Sequence, residues 1–485
     1  MSTTIFEKSS QGRKGYNISV NDVNIELKDI LPSKLCRKED AKLPQCSELD
    51  VMRHYIDLSS KNHFIEKGLY PLGSCTMKYN PKINEAVARQ SGIANLHPLQ
   101  PEETVQGALQ IMHELQHDLA EISGMANVTL QPVAGAQGEF VGLKIISAYH
   151  QAKGNTHKNV IIMPDSAHGT NPASCSLAGF KVKELKSNSQ GKVDVEELRN
   201  MVDENTAGFM LTNPNTLGLF ENKIEEIAEI IHSVDGLMYM DGANFNALLG
   251  IVQPGKIGFD VMHYNLHKTF STPHGGGGPG SGAVGVVEHL VKFLPIPMVS
   301  KNDDGYFLDY SHEKTSIGKV HTYYGNFGIN VRAYVYIKML GSVGIRSVGE
   351  NAIINANYLQ TKLKEYYNIS HSDQFCMHEF VADGTIQKKK YGVSTLDIAK
   401  RLLDKGFHAP TIYFPLIISE AIMIEPTETE SKQSLDKFID AMIEIAHEIE
   451  TDPDSLHHAP FNTPVRRVDD VRAVKELNVR FPIEK

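Results

Sequence analysis

Two residues in this sequence have the types and surroundings to do covalent chemistry together. Lys268 sits in NLHKTF (265–270), just after the apolar run 260–264 and just before a glycine-rich turn at 275–278. Asp241 follows a second apolar run, 236–240, and opens DGAN (241–244). Runs of this length and bounding read as strands, so both side chains stand at strand carboxyl ends. A lysine can form a Schiff base with an aldehyde. An acid can keep a pyridine nitrogen protonated, so that its ring accepts electrons. That pair is what a pyridoxal phosphate (PLP) site requires. A lone strand-end lysine is more often a solvated surface residue, and it is the upstream Asp241 that favours the chemical reading.

The glycines beside Lys268 carry a second literal match, G-x-G-x-x-G at Gly275, Gly277 and Gly280. A dinucleotide fingerprint has to open a helix. Here Pro279 intervenes and residues 281–287 read as a strand, so the context excludes it. No G-K-[ST] follows, which excludes a P-loop as well.

These residues need a scaffold to bring them together. Apolar residues recur at three- and four-residue spacing from 103 to 122, predicting a helix. Strands and helices then alternate. The predicted strands are 127–133, 159–164, 179–185 and 207–212, followed by the two already named, and helices are predicted at 138–152, 194–202 and 223–231. Alternation of this kind predicts an α/β domain with a parallel sheet covered on both faces. Ligands in such sheets lie outside the strands' carboxyl ends. After the first strand comes a small-residue turn with Ala136 and Gln137, whose free amides at a helix start suit a phosphate. After the second comes His168, placed to stack on a ring, and after the fourth comes Asn213, an amide at the same edge. Each residue alone reads equally well as a cap, a surface imidazole or a turn. The set reads as a phosphate cradle, a stacking ring, an amide, an acid and a lysine.

Around this core we expect an amino-terminal arm (1–65), either laid on another surface or unstructured, and a large domain (66–340). A hinge at 341–344 then leads to a smaller α+β domain (341–485), with helices at 351–366, 394–404 and 431–448 and strands at 374–380 and 421–425. The length, 485 residues, is too great for one core. A formal net charge of −10 argues against nucleic acid and anionic membrane as partners. No apolar run reaches membrane-spanning length, and the amino terminus lacks signal- and transit-peptide features. Five cysteines without C-x-x-C pairing fit a reduced, cytoplasmic protein.

The chain resembles the PLP-dependent glycine decarboxylase (P-protein) family of the glycine cleavage system. The matching segments are YPLGSCTM (70–77), GAQGE (135–139), DSAHGTNPAS (165–174), TNPNTLG (212–218), DGAN (241–244), NLHKTF (265–270), PHGGGGPGSG (273–282), YGNFG (324–328), EPTETE (425–430) and TPVRR (463–467). The resemblance implies the aspartate aminotransferase-like PLP fold. It implies Lys268 as the lysine that carries PLP, Asp241 at the pyridine nitrogen and His168 stacked on the ring. Ala136 and Gln137 would lie at the phosphate, with Asn213 and Asn244 near the ring hydroxyl. His267 would also lie at the cofactor. His267 or His274 would carry protons alongside Lys268, or both would be hydrogen-bonded structural histidines. The family's usual arginines near 318–323 are replaced here by Lys319 and His321.

By the same resemblance the activity is decarboxylation of glycine, with transfer of the aminomethyl group to lipoylated H-protein and no nicotinamide site in this chain. The chain resembles the second half of the longer one-chain form. That implies a first subunit as partner, with two copies of each. The competing readings are another PLP enzyme of this fold, an aminotransferase or a cysteine desulfurase, and a non-catalytic scaffold.

Overall fold

The computed structural model describes the chain except for residues 1–2, 18, 20–21, 40, 98–99, 276–279 and 481–485. Part of the glycine-rich turn, 276–278, and Pro279 therefore lie outside the described residues. Contacts divide the chain into two compact units, Ile65–His457 on one hand and Met1–Phe64 with His458–Lys485 on the other. The carboxyl-terminal segment thus groups with the amino-terminal arm, where the sequence places it with the small domain.

The arm is not without structure. Helix Glu48–Ser60 starts on a capping box: Ser47 Oγ accepts from the Asp50 N–H, and the Asp50 carboxylate accepts from the Ser47 N–H. Leu49, Met52, Tyr55 and Ile56 of this helix are all more than half exposed.

Within Ile65–His457, seven strands build the main sheet: β1 (Asn127–Thr129), β2 (Val160–Pro164), β3 (Lys181–Leu185), β4 (Thr206–Thr212), β5 (Leu237–Gly242), β6 (Val261–Asn265) and β7 (Gly282–Val286). Their order is β1-β7-β6-β5-β4-β2-β3. Every residue of β4, β5 and β6 is buried, as expected where both faces are covered. The alternation of side chains sorts them into two cores: Phe209, Leu211, Met238 and Met240 face one, and Met210, Leu237, Tyr239 and Val261 face the other. The sheet is parallel except for β7, which runs antiparallel to both β6 and β1. The expected strand at 127–133 is only three residues long, because the chain turns out of the ladder to reach the next helix.

That helix, α1 (Gly135–Ala152), packs on the sheet through glycine. A Cβ at Gly142 would stand 2.3 Å from the Tyr239 ring, so only glycine lets the helix sit this close. At the expected hinge, 341–344, two helical segments that together span α2 (Phe327–Leu363) meet at a kink, where Gly341 departs from helical geometry at φ 59° and ψ −175°.

The smaller region carries a four-stranded sheet of β8 (Asn368–Ile369), β9 (Phe380–Asp383), β10 (Thr411–Ile412) and β11 (Ala421–Ile424), in the order β8-β9-β11-β10. Its core joins Phe380, Ala382, Ile422 and Ile424 to Phe438, Met442 and Ile445 of helix α3 (Lys432–Thr451). Residues 374–379, expected as strand, precede β9 and lie outside the sheet.

Candidate active site

The carboxyl ends of β2, β4, β5 and β6 converge with the start of α1 on a cavity of about 240 Å³. Lys268, Asp241, His168, Ala136, Asn244 and His267 all line it, together with Ser74, Glu139, Thr212, Thr216, His263 and Asn265. Lys268 follows β6 and donates from Nζ to the Ser74 carbonyl at 2.7 Å.

Asp241 is almost fully buried and its acceptors are well supplied. Asn171 Nδ2 donates to Oδ2 at 3.0 Å and the Ala243 N–H donates to Oδ1 at 2.9 Å. His263 Nε2 lies 3.2 Å from Oδ1. Burial by itself would raise this carboxyl, but His263, these donors and the Lys268 charge together hold it below its ordinary value. The site keeps a carboxylate ionised inside the protein.

His263 was not singled out from the sequence. Register puts it there: Asp241 pairs with His263 across β5 and β6. Tyr239 then continues the chain of contacts, its hydroxyl 2.9 Å from His263 Nδ1 and donating to the Gly138 carbonyl at 3.3 Å. The available signal was a histidine inside an otherwise apolar strand, two residues before Asn265 and so on the same face.

At the other end of the cavity, Ala134, Gly135 and Ala136 line the wall at the start of α1. No side chain caps this helix, so its first N–H groups face the cavity side without a side-chain acceptor. The Asn265 Oδ1 atom is buried there without a hydrogen-bond partner, and a Cβ on Gly135 would stand 2.1 Å from it. An uncapped helix start at one end and an ionised buried acid at the other, with a lysine between, match the phosphate, ring nitrogen and aldehyde of PLP. The residues present fit that cofactor.

Two expected site residues point elsewhere. Gln137 spends its side chain on backbone, accepting from the Val133 N–H at 2.9 Å and donating to the Val320 carbonyl at 3.0 Å. Asn213 precedes a cis proline, and its Oδ1 accepts from the Glu221 N–H at 3.0 Å. Neither side chain lines the cavity. His168 does line it, from an exposed position, with its ring edge-on to Phe414 at 5.6 Å and its Nδ1 2.8 Å from Thr170 Oγ1. Asn244 donates to the Pro214 carbonyl and to Glu379 Oε1 at 3.0 and 3.1 Å.

His267 and His274 stack edge-on, 5.1 Å apart. His267 Nδ1 lies 3.1 Å from the Ser281 carbonyl and His274 Nε2 lies 2.9 Å from the Cys75 carbonyl. Burial, with the nearby Lys268 charge, lowers both to about 4. Lys319 and His321 do not line this cavity: Lys319 sits over the Tyr324 ring at 5.0 Å, and His321 faces a separate apolar cavity of about 450 Å³. Burial raises the Cys75 thiol and pushes Cys175 up to about 12. Neither is a ready thiolate.

Comparison with known proteins gives a consistent answer. Family models match at residues 7–306, described as "Glycine cleavage system P-protein", and at 348–462, described as "Glycine dehydrogenase, C-terminal domain". A relative from Bacillus cytotoxicus, "Probable glycine dehydrogenase (decarboxylating) subunit 2", is 57% identical over 478 residues, covering 98% of this chain and 97% of its own. Among solved structures, a glycine decarboxylase (P-protein) of the glycine cleavage system in inhibitor-bound form superposes with a TM-score of 0.73 at 21% identity, over 87% of this chain and 95% of that one. A cysteine desulfurase from Thermococcus onnurineus superposes at 0.61 and 14% identity, over 79% of this chain and 95% of that one. These structural likenesses show the fold, a large mostly parallel-sheet domain with a smaller carboxyl-terminal one.

Proposed function

This chain belongs to the glycine cleavage system P-protein family, and we propose that it is the PLP-bearing subunit of a two-subunit glycine decarboxylase. The observation that carries this reading is the single cavity that joins Lys268, the ionised Asp241 and the uncapped start of α1. When bound, PLP supplies a protonated ring that accepts the electron pair left as glycine loses carbon dioxide.

The chain's own residues divide the remaining work. Lys268 is the amine that anchors the cofactor and, when not so engaged, carries a proton in the cavity. Asp241 holds the ring nitrogen's proton, and Asn171, Ala243 and His263 keep its charge in place. The Ala134–Ala136 backbone holds the phosphate, and His168 covers the ring from the cavity's exposed rim. His267 and His274 are neutral at physiological pH, each directing a ring N–H to a backbone carbonyl, so neither adds a positive charge to the cavity. Gln137 serves here by fixing the turn that presents the phosphate amides, and Asn213 by shaping the loop that seats Asn244.

The one-carbon fragment leaves on the lipoyl arm of H-protein, and a homologous first subunit completes the assembly with two copies of each chain. The name of the Bacillus cytotoxicus relative, a "subunit 2", supports the partner. So does the exposed apolar stripe Leu49, Met52, Tyr55 and Ile56. No described helix is long and apolar enough to cross a membrane, and with its unpaired cysteines we place the protein in the cytoplasm.

Borohydride reduction of the PLP-loaded protein followed by peptide mapping should place a phosphopyridoxyl group on Lys268; a label on another lysine overturns the site. Exchange of labelled bicarbonate into glycine should require the first subunit and lipoylated H-protein. Full exchange by this chain with H-protein alone would refute the two-subunit reading.

A further inference from the structure

A pair of buried carboxyls outside the roles above lies behind Ser74 and Asn244, which line the same cavity. Glu379 immediately precedes β9 and Glu425 immediately follows β11. The antiparallel pairing of Phe380 with Ile424 therefore sets the two opposite each other. Both are fully buried, and so is His378, whose Nε2 lies 3.9 Å from an oxygen of each. Glu379 accepts from the Ser74 N–H at 2.6 Å, from Ser74 Oγ at 3.1 Å and from Asn244 Nδ2 at 3.1 Å. Glu425 accepts from the Thr76 N–H at 2.9 Å, while its other oxygen and both His378 ring nitrogens have no hydrogen-bond partner. Ser74 in turn lines the cavity, and its carbonyl receives Lys268.

Two carboxylates this close and this dry cannot both stay charged. Lys268 offsets part of the repulsion, while Glu428 adds to it at Glu425, and Cys75 and Cys376 face the pair as neutral thiols. The His378 ring, driven neutral by burial, supplies no cation. Burial raises both carboxyls, and the charge of Glu425 raises Glu379 further. What the cluster lacks is one positive charge, and a proton is the smallest that fits.

We propose that Glu379 and Glu425 hold one proton between them at neutral pH and that Ser74 Oγ passes it between Glu379 and an amine or thiolate in the cavity. On entry of glycine, an ammonium N–H breaks and its proton goes to Ser74 Oγ, while the Ser74 hydroxyl proton goes to Glu379. The amine is left neutral and nucleophilic, and the pair gains one proton. In the reverse sense the pair returns a proton to the thiolate released when the decarboxylated carbon bonds one sulfur of H-protein's lipoyl disulfide and the S–S bond breaks. This rests on the reading of the cavity as a decarboxylase site, although the shared proton itself does not.

Infrared spectra of the assembled enzyme at pH 7 should show a protonated-carboxyl stretch, with or without cofactor, that is lost in Glu425→Gln. Glu379→Gln keeps an acceptor for the Ser74 N–H but cannot cycle the proton. Its turnover should fall about 10²-fold, with an ionisation missing from the pH–rate profile. Ser74→Ala should lose turnover similarly yet retain the infrared band. Absence of the band in the unaltered enzyme would overturn the proposal. So would a Glu379→Gln profile superimposable on the parent's, or a stoichiometric metal ion that disappears with Glu425. Failure of the Lys268 label, by contrast, would strike the decarboxylase reading and leave the band untouched.

Discussion

Asp241 Oδ1 and His263 Nε2 meet at 3.2 Å across the β5–β6 ladder, both almost wholly buried. The acid that would face a ring nitrogen is thereby held from behind by an imidazole, which is itself fixed by Tyr239. Low dielectric makes such a charge count for more than it does in water, and the local donors prevent burial from neutralising it.

Asp241→Asn should therefore separate binding from chemistry. The amide keeps the shape and leaves Lys268 and the phosphate turn intact, so absorbance should show the cofactor retained. Turnover should drop by orders of magnitude, because a neutral amide does not hold the ring proton. Near-normal turnover would contradict the role.

Gly135→Ala tests the phosphate end. The new Cβ would overlap Asn265 Oδ1, so the helix start or Asn265 has to shift, at a typical overpacking cost of about 1–3 kcal/mol. Cofactor affinity, measured by equilibrium dialysis, should weaken more than tenfold. Unchanged affinity would mean that the phosphate binds elsewhere.

Lys78 ties the 70–81 loop to the small region. Its Nζ lies 2.8 Å from Glu428 Oε1, 2.8 Å from Asn246 Oδ1 and 3.1 Å from the Tyr336 hydroxyl, with almost no solvent contact. Glu428→Leu strands a buried ammonium and should cost about 3–5 kcal/mol in urea unfolding. Adding Lys78→Met should recover much of the loss. A single variant as stable as the parent would refute the buried pairing.

Acid should act on the histidines beside Lys268. His274 is depressed to about 4 from the ordinary 6.5 by burial, then by Lys268. Between those values the unfolded chain binds the extra proton. The stability that the neutral ring contributes is therefore complete above about 6.5 and is lost as pH falls through about 4. Glu379 and Glu425, raised by burial, pull the other way in parent and variant alike. Their effect cancels in a difference. From pH 7 to pH 4, stability should swing toward His274→Asn relative to the parent by at most about 3 kcal/mol. Parallel curves of unfolding midpoint against pH would refute the buried neutral imidazole.

The sequence by itself determined the strand–helix alternation, the apolar strands buried on both faces, and the placing of Asp241, Lys268, His168 and the 134–136 turn at strand ends. Those features are local: a period, a run length or a small-residue turn is written in neighbouring residues. Only the tertiary structure decided what depends on pairing between distant segments. Register set His263 against Asp241, and β7 entered antiparallel between β1 and β6. Gln137 and Asn213 stood at the expected edge, yet nearby backbone groups claimed their side chains. Glu379 and Glu425 came together because β9 and β11 pair, and Ser74 and Thr76 then hold them through backbone amides behind the cavity wall. A one-residue slip in any of these ladders would turn the same side chains to the opposite face, and no local pattern fixes which ladder forms.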